Sequence, residues 1–246
     1  MTIYDLLILQ FIAHLLADYT FQPESWAKEK IANGFHSKYL IKHILIALVL
    51  SWGLSFQWQF IVASLIIAVF HLIIDGLKKN ITNNKNTVKY AFVIDQALHL
   101  LVFVVCTFLF NHYFTISPYV QLPVTTHLLM IIAGYILCTK PANIIIKEVI
   151  NFYDIRIAQD VSSTRTESEI LNAGKLIGVS ERILTLTLIL YGQFEAVGFI
   201  IAGKSILRFK ETDTSKTEYV LIGTLLSFGI AILTGIGILI LKSKLT

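Results

Sequence analysis

VFHLIIDGLKKNITNNKNTVKYAFVIDQALHLL, residues Val69 to Leu101, reads as two transmembrane helices joined by a short polar turn. The first carries His71 and Asp75 near its exit from the bilayer, and the second carries Asp95 and His99 near its entry. Residues four apart lie on one helix face, one turn above the other. Two such pairs facing each other across a short turn suggest a metal or proton site inside a membrane. The question for the rest of the chain is whether it completes that site.

The composition sets the environment. Of 246 residues, 55% are hydrophobic and only 15% are charged, with the charges gathered between long apolar runs. A bilayer core accepts only helices or closed barrels, and continuous rather than alternating apolar runs argue for helices. The chain is therefore predicted to be an all-α, polytopic helical membrane protein. About seven spans are expected: Ile3–Tyr19, Leu40–Leu54, Gln59–Asp75, Tyr90–Phe110, Thr126–Cys138, Ile183–Ala202 and Tyr219–Leu241. The run from Ile3 has neither a basic leader nor a small-residue cleavage site, so a retained helix is expected. Cys106 and Cys138 fall in spans and read as packing residues.

Lys and Arg set the orientation. Lys28, Lys30 and Lys38 lie in the first loop, Lys78, Lys79, Lys85 and Lys89 in the third, and the segment from Lys140 to Arg182 is basic too. Ser55–Trp58 and Asn111–Thr125 have neither residue type. The expectation is a multi-pass protein of the cytoplasmic (inner) membrane with its N-terminus outside. The net charge of +4 follows from the same rule, and no nucleic-acid partner is expected. Lys204, Arg208, Lys210 and Lys216 follow the sixth run, where the rule wants an outside loop. That run is either a plain span or a re-entrant hairpin turning at Tyr191–Glu195. Ala142–Ala158 either lies in the interface plane or continues the fifth helix beyond Pro141. Gly174 and Gly178, and Gly223, Gly229, Gly235 and Gly237 in the last helix, are expected to permit close helix packing. Two domains are expected: residues 1–112, a four-helix membrane domain with the His/Asp site, and 113–246, with a cytoplasmic segment at about 140–182.

Depth brings the polar residues together. The first helix places His14, then Asp18, near its inner end, and the second presents His43 soon after entry. With His71, Asp75, Asp95 and His99, four helices carry seven ionisable residues to one cytoplasmic-side level. In each His–Asp pair the aspartate is expected nearer water and the histidine one turn deeper. HLLAD at His14–Asp18 repeats as HLIID at His71–Asp75, and the next histidine follows after 29 and 28 residues, His14 to His43 and His71 to His99. Two similar hairpins related by an axis along the membrane normal would converge on one pocket.

Ionisable groups at membrane depth cost several kcal/mol unless paired or bound. A set of His–Asp hydrogen bonds tying four helices together is one way to satisfy them. The leading reading is a divalent metal on His14, His43, His71, His99, Asp75 and Asp95, zinc first, with manganese or iron also suiting nitrogen and oxygen donors. Two ions are an open alternative, because seven candidates exceed what one needs. His36 reads as a loop histidine, and His112 and His127 as remote. Arg182 and Lys204 read as snorkelling to an interface, while Lys204 with Arg208 is a candidate cradle for a lipid phosphate.

HLLADYTFQ at His14–Gln22, His43, HLIID at His71–Asp75 and DQALH at Asp95–His99 together resemble an uncharacterised family of small bacterial integral membrane proteins, catalogued as a domain of unknown function. The resemblance spans roughly residues 3–110, and Tyr19 stands where the motif carries Phe. GKLIGVSERILTLTLILYGQFEAVGFIIAGKSILRF and EYVLIGTLLS resemble that family's extended form. The resemblance implies a bacterial membrane setting and no activity.

Three functions are carried forward. The first is a membrane-embedded metal-dependent hydrolase working from the cytoplasmic face on a lipid-like, lipid-linked or membrane-associated substrate, with Asp18, Asp75 and Asp95 as candidate bases. The second is a cation or proton transporter, which predicts polar residues continuing into the outer halves of the helices. The third is a non-catalytic scaffold or sensor with a structural metal. No nucleophile elbow, Walker A loop or dinucleotide fingerprint is present, which sets those chemistries aside. Substrate and oligomeric state are not encoded in any motif here.

Overall fold

The structure is a computed structural model. It describes residues 1–84, 87–120, 123–153, 166–208 and 214–245, with the side chains of 166–173, 207–208, 214–219 and 245 excepted. All its regular structure is helical. The chain divides into two compact units, Met1–Ala133 and Gly134–Thr246.

In the first unit α1 (Ile3–Leu15) opens with a reciprocal cap: Thr2 accepts from the backbone N–H of Asp5, and Asp5 accepts from that of Thr2. Asp5 also accepts from the Thr126 hydroxyl at 2.6 Å, which ties α1 to the start of α6 (Thr126–Leu137). α1 runs straight into a π-helical turn, Leu16–Thr20. Pro23 then opens a short helix, α2 (Glu24–Asn33). α3 (Leu40–Ser55) leads to α4 (Ile61–Asn83) through Phe56, which takes a left-handed φ of 53°. α5 (Ala91–Tyr113) completes the group. α1 packs on α3 and α5, and α4 packs on the same two, so the four close into a ring.

The outward faces of that ring are apolar. Leu45, Val49, Val62, Leu65, Ile66, Val69, Phe70, Leu101, Val105 and Phe108 are 44–62% exposed. A soluble protein does not leave such a belt to water, whereas lipid tails accept it at no cost. Inside, Leu6, Phe60, Ile67, Phe103, Cys106 and Phe110 form one apolar cluster. The seven spans expected are resolved as follows. Among the described residues, four stretches are long and apolar enough to cross a bilayer: Ile3–Thr20, Trp58–Asn83, Val88–Tyr113 and Val220–Lys244. Two bent pairs, α2 with α3 at 108° and α6 with α7 (Lys140–Phe152) at 51°, raise the number to six when each counts as one span.

The second unit contains α7, α8 (Thr166–Leu190), α9 (Phe194–Arg208) and α10 (Thr214–Leu245). The run Ile183–Ala202 is not one helix. It breaks at Tyr191-Gly192-Gln193, where Gly192 takes φ +74°. α10 packs on α8 where Gly235 meets Ile189 so closely that any Cβ would collide. Among the described residues, nothing lies within 4 Å of a Cβ position at Gly174, Gly223, Gly229 or Gly237, so no close packing of the kind the sequence suggests is seen there.

Arg182 corrects another expectation. It does not snorkel: it is 1% exposed. Its Nε–H donates to the Cys138 carbonyl (2.7 Å), Nη1 to the Ser227 hydroxyl (2.9 Å), and Nη2 to the Thr139 carbonyl (3.3 Å) and Asn143 Oδ1 (2.6 Å). The carbonyls freed where α6 gives way to α7 need donors, and one planar guanidinium supplies them while joining α8 and α10 to the break. Lys204 is likewise committed, donating to Glu181 at 2.5 Å.

Candidate metal centre

The π turn at Leu16–Thr20 closes with the Phe21 N–H on the Leu16 carbonyl at 2.8 Å. Such a turn carries one more residue than an α turn and re-aims the side chains it holds. Here it turns Asp18 and Tyr19 into the ring of helices, where both are nearly buried. His43 comes from the first turn of α3, His71 and Asp75 from one face of α4, and Asp95 and His99 from one face of α5.

Four donor atoms from three helical segments then converge. His43 Nε2 lies 2.9 Å from His71 Nε2, 3.5 Å from Asp18 Oδ1 and 3.4 Å from Asp75 Oδ2. His71 Nε2 lies 3.4 Å from Asp18 Oδ1 and 3.6 Å from Asp75 Oδ2. The His43–His71 contact is a hydrogen bond, whereas the four His–Asp separations exceed the usual reach of an N–H···O bond. A tetrahedral site with ligands at about 2.0–2.1 Å has donor–donor edges of about 3.3–3.4 Å. The four His–Asp separations, 3.4–3.6 Å, lie close to that value, and the hydrogen-bonded His43–His71 pair is shorter.

Asp18 Oδ1, His43 Nδ1, Asp95 Oδ1 and His99 Nε2 are buried with no hydrogen-bond partner. Groups of this kind are uncommon in folded proteins, and a bound ion is one way to satisfy them. His43, His71 and Asp75 have one donor atom each within 4.8 Å of one another, as do Asp18, His71 and His99, and also Asp75, Asp95 and His99. The donors present, imidazole and carboxylate without thiolate, fit a divalent cation such as zinc.

The surrounding hydrogen bonds fix the tautomers. Gln96 Nε2 donates to Asp95 Oδ2 (3.0 Å), so its Oε1 faces His14 Nε2 (3.1 Å) and the Tyr19 hydroxyl (2.7 Å) and accepts from both. His14 in its neutral form therefore keeps its lone pair on Nδ1, 3.8 Å from Asp18 Oδ1. His99 Nδ1 lies 2.8 Å from the Asp95 carbonyl, an acceptor only, so Nδ1 carries the hydrogen and Nε2 the lone pair.

Two lysines complete the site. Lys30 on α2 is 4% exposed and places Nζ 2.5 Å from Asp75 Oδ2. Lys78, in the C-terminal turns of α4, places Nζ 2.7 Å from Asp95 Oδ2. α2 reaches α4 because Gly76 has no side chain: a Cβ there would fall inside the Phe35 ring. Opposite, Gly34 takes φ +55° with its own Cβ position 2.9 Å from the Gly76 carbonyl. With neutral imidazoles, three carboxylates against two ammonium groups leave one net negative charge buried among the helices.

The layering differs from expectation. Asp75 is 3% and Asp95 2% exposed, no more than His71 and His99 at 4%. The aspartates are not a water-facing rim, because α2 and the lysines cover them. On the other side His14, His71 and His99 share a cavity of about 20 Å³ with Gln10, Ser51 and Phe103, room for about one water. Gln10, Ser51 and Ser64 form a buried hydrogen-bonded trio there. Beyond it, the apolar cluster of Leu6, Phe60 and Phe103 intervenes. The buried Thr107 and Ser55 spend their hydroxyls on the local carbonyls of Phe103 and Trp52.

All seven His and Asp candidates thus meet in the first unit. Lys30, Lys78, Gln96 and Tyr19 join them, which the sequence did not single out as site residues. Gln96 lies inside the DQALH motif, and Lys78 is three residues past Asp75 on the same helix. Lys204 pairs with Glu181 instead of standing free as an anion cradle. The side chain of Arg208 lies outside the described residues. His36 is exposed on the turn after α2.

Against known proteins, the family described as "Protein of unknown function (DUF3307)" matches residues 6–129, just over half of the chain. The chain belongs to this family. The DUF3307 match takes in every residue of the site and ends close to the boundary of the first unit. The C-terminal resemblance lies beyond the matched residues. No curated protein and no solved structure is significantly similar to the chain.

Proposed function

We propose that this DUF3307 protein is a metal-dependent hydrolase embedded in the bacterial inner membrane. Its N-terminus is outside, and its substrate is lipid-like or membrane-associated and comes from the cytoplasmic side, where α2 and the lysines that cover the carboxylates must move to admit it. The observation that carries the reading is the convergence of Asp18, His43, His71 and Asp75 at the edge lengths of a tetrahedral ion. These four hold the metal, zinc first, with manganese and iron as alternatives. A bound divalent ion lowers the pKa of its water and polarises an ester or phosphoryl oxygen.

The chain's own groups supply the rest. Gln96 orients His14 by accepting from Nε2–H, which leaves Nδ1 beside Asp18 as the proton acceptor. Lys30 holds Asp75, and Lys78 with Gln96 holds Asp95, so the carboxylates keep fixed geometry. The cavity beside His14 and His71 is the place for the attacking water. A through-path for ions is disfavoured by the apolar cluster beneath the trio of Gln10, Ser51 and Ser64.

The test is elemental analysis of protein purified without chelator, beside His43→Ala/His71→Ala. About one equivalent of metal or more in the wild type, lost from the variant, is expected. Metal-free wild type that takes up none on titration overturns the reading. Metal bound without hydrolysis of ester or phosphate lipids would favour the scaffold or sensor.

A further inference from the structure

The ring of α1, α3, α4 and α5 maps onto itself when the two hairpins exchange places. α1 exchanges with α4 and α3 with α5, and each of the first two packs on both of the others. The repeat in sequence has the same order: Asp18 corresponds to Asp75, His14 to His71 and His43 to His99. The four-donor cage uses His43 on the α3 side. The exchange carries that cage to Asp75, His99, His14 and Asp18, on the α5 side, so it brings His99 and Asp75 to a second position. Asp95 has no counterpart in the repeat, where Tyr39 stands four residues before His43.

We propose that a second divalent cation binds there, held by His99 and Asp95 and bridged to the first through Asp75. The proposal rests on the metal-site reading above and adds to it the number of ions and their bridging carboxylate. Three observations support it. Asp75, Asp95 and His99 each offer a donor atom within 4.8 Å of the other two. Opposite ligands of one ion are about 4.2 Å apart at ordinary bond lengths, so the set closes on a cation with small side-chain movement.

The second observation is that two of these donors are buried and unused. His99 Nε2 and Asp95 Oδ1 have no hydrogen-bond partner, on residues 4% and 2% exposed. The backbone bond from His99 Nδ1–H to the Asp95 carbonyl leaves the lone pair on the nitrogen that has no other occupation. That second-nitrogen anchor is the arrangement metal-ligating histidines ordinarily have. The third is proximity. The His71 and His99 rings lie 4.0 Å apart between centroids, and His14 stacks on His99 at 5.6 Å. The two donor groups are therefore neighbours, and Asp75 belongs to both, which makes it the carboxylate that could span two ions.

Lys78 does not block the second position. It occupies Asp95 Oδ2 and leaves Oδ1. Two divalent ions change the buried charge from −1 to +3 before hydroxide or substrate enters. Such a site favours an anionic group, of which a phosphoryl ester is the natural chemical class for a two-ion centre.

The experiment is Mn²⁺ titration of the full-length chain in nanodiscs, followed by elemental analysis and electron paramagnetic resonance. Two equivalents with an exchange-coupled signal are expected in the wild type. His99→Gln and Asp95→Asn should each bind one, with an uncoupled signal, and that retained ion reports that the fold is intact. A single uncoupled equivalent in the wild type overturns the second site and leaves the first standing. Two equivalents retained in His99→Gln move the second ion elsewhere and also overturn it. No Mn²⁺ in the wild type, after zinc is shown not to bind either, removes both. Should a variant fail to fold, stoichiometry and coupling in the wild type still decide.

Discussion

Lys30, like Lys78, carries its ammonium group among the carboxylates of the site. Removing one partner of a buried ion pair leaves the other charge uncompensated, at a cost of about 3–5 kcal/mol. Lys30→Met is therefore expected to lose about that much stability in chelator, measured by thermal unfolding in detergent. Added zinc should restore a good part, because the ion then compensates Asp75. Equal loss with and without zinc would separate Asp75 from the metal. The histidines and aspartates were legible from sequence because a carboxylate or imidazole inside an apolar run is costly unless something there binds it. Lys30 was not. A lysine in a polar segment reads the same whether it is solvated or folded back into the bundle, and only the seating of α2 distinguishes the two.

At the scale of elements, the seating of α2 depends on the contact between Gly76 and Phe35. Gly76→Ala forces the Phe35 ring away, and α2 with it. The expected signature is faster amide exchange across residues 24–36 while the middle of α4 stays protected, with about 1–3 kcal/mol of stability lost to overpacking. In the second unit Arg182 gives four hydrogen bonds to neutral acceptors at the break between α6 and α7. Arg182→Leu orphans them, and a loss of at least about 3 kcal/mol is expected. Arg182→Lys keeps the charge but not the planar fork, so an intermediate loss in the same unfolding assay is expected. Helix positions were readable from apolar run length. The π turn was not, since no residue pattern in LADYT distinguishes it from an α turn. The fifth span expected from sequence ends at Cys138, where the structure breaks, and a turn at Tyr191–Glu195 is one of two alternatives for the sixth. Hydropathy alone does not decide between that turn and a continuous span, although Gly192 marks it.

At the scale of the molecule, the orientation rests on where lysine and arginine fall. A periplasm-dependent reporter such as alkaline phosphatase should be active when fused between Ser117 and Val124 and inactive between Asn83 and Val88. The reverse pattern would put the site on the outer side. The number of spans is less sharply written in the sequence than their helical nature, because a run interrupted by a turn keeps its mean hydropathy. The four-helix convergence was legible because the repeat places like residues at like depth. Which histidines share the cage was not, since that depends on how the hairpins rotate about their own axes.

The ion pair between Lys30 and Asp75 has one more consequence, for biogenesis. Small zinc domains often have no folded state until the ion arrives, because the ligands have no other way to satisfy one another. Here each of the two deepest carboxylates already has an ammonium partner supplied by the same chain. The newly inserted bundle is therefore expected to assemble in the membrane whether or not metal is at hand. Loading then becomes a later event, governed by supply rather than by folding. On the metal-centre reading proposed above, a cell starved of the ion is expected to accumulate intact copies rather than degraded ones.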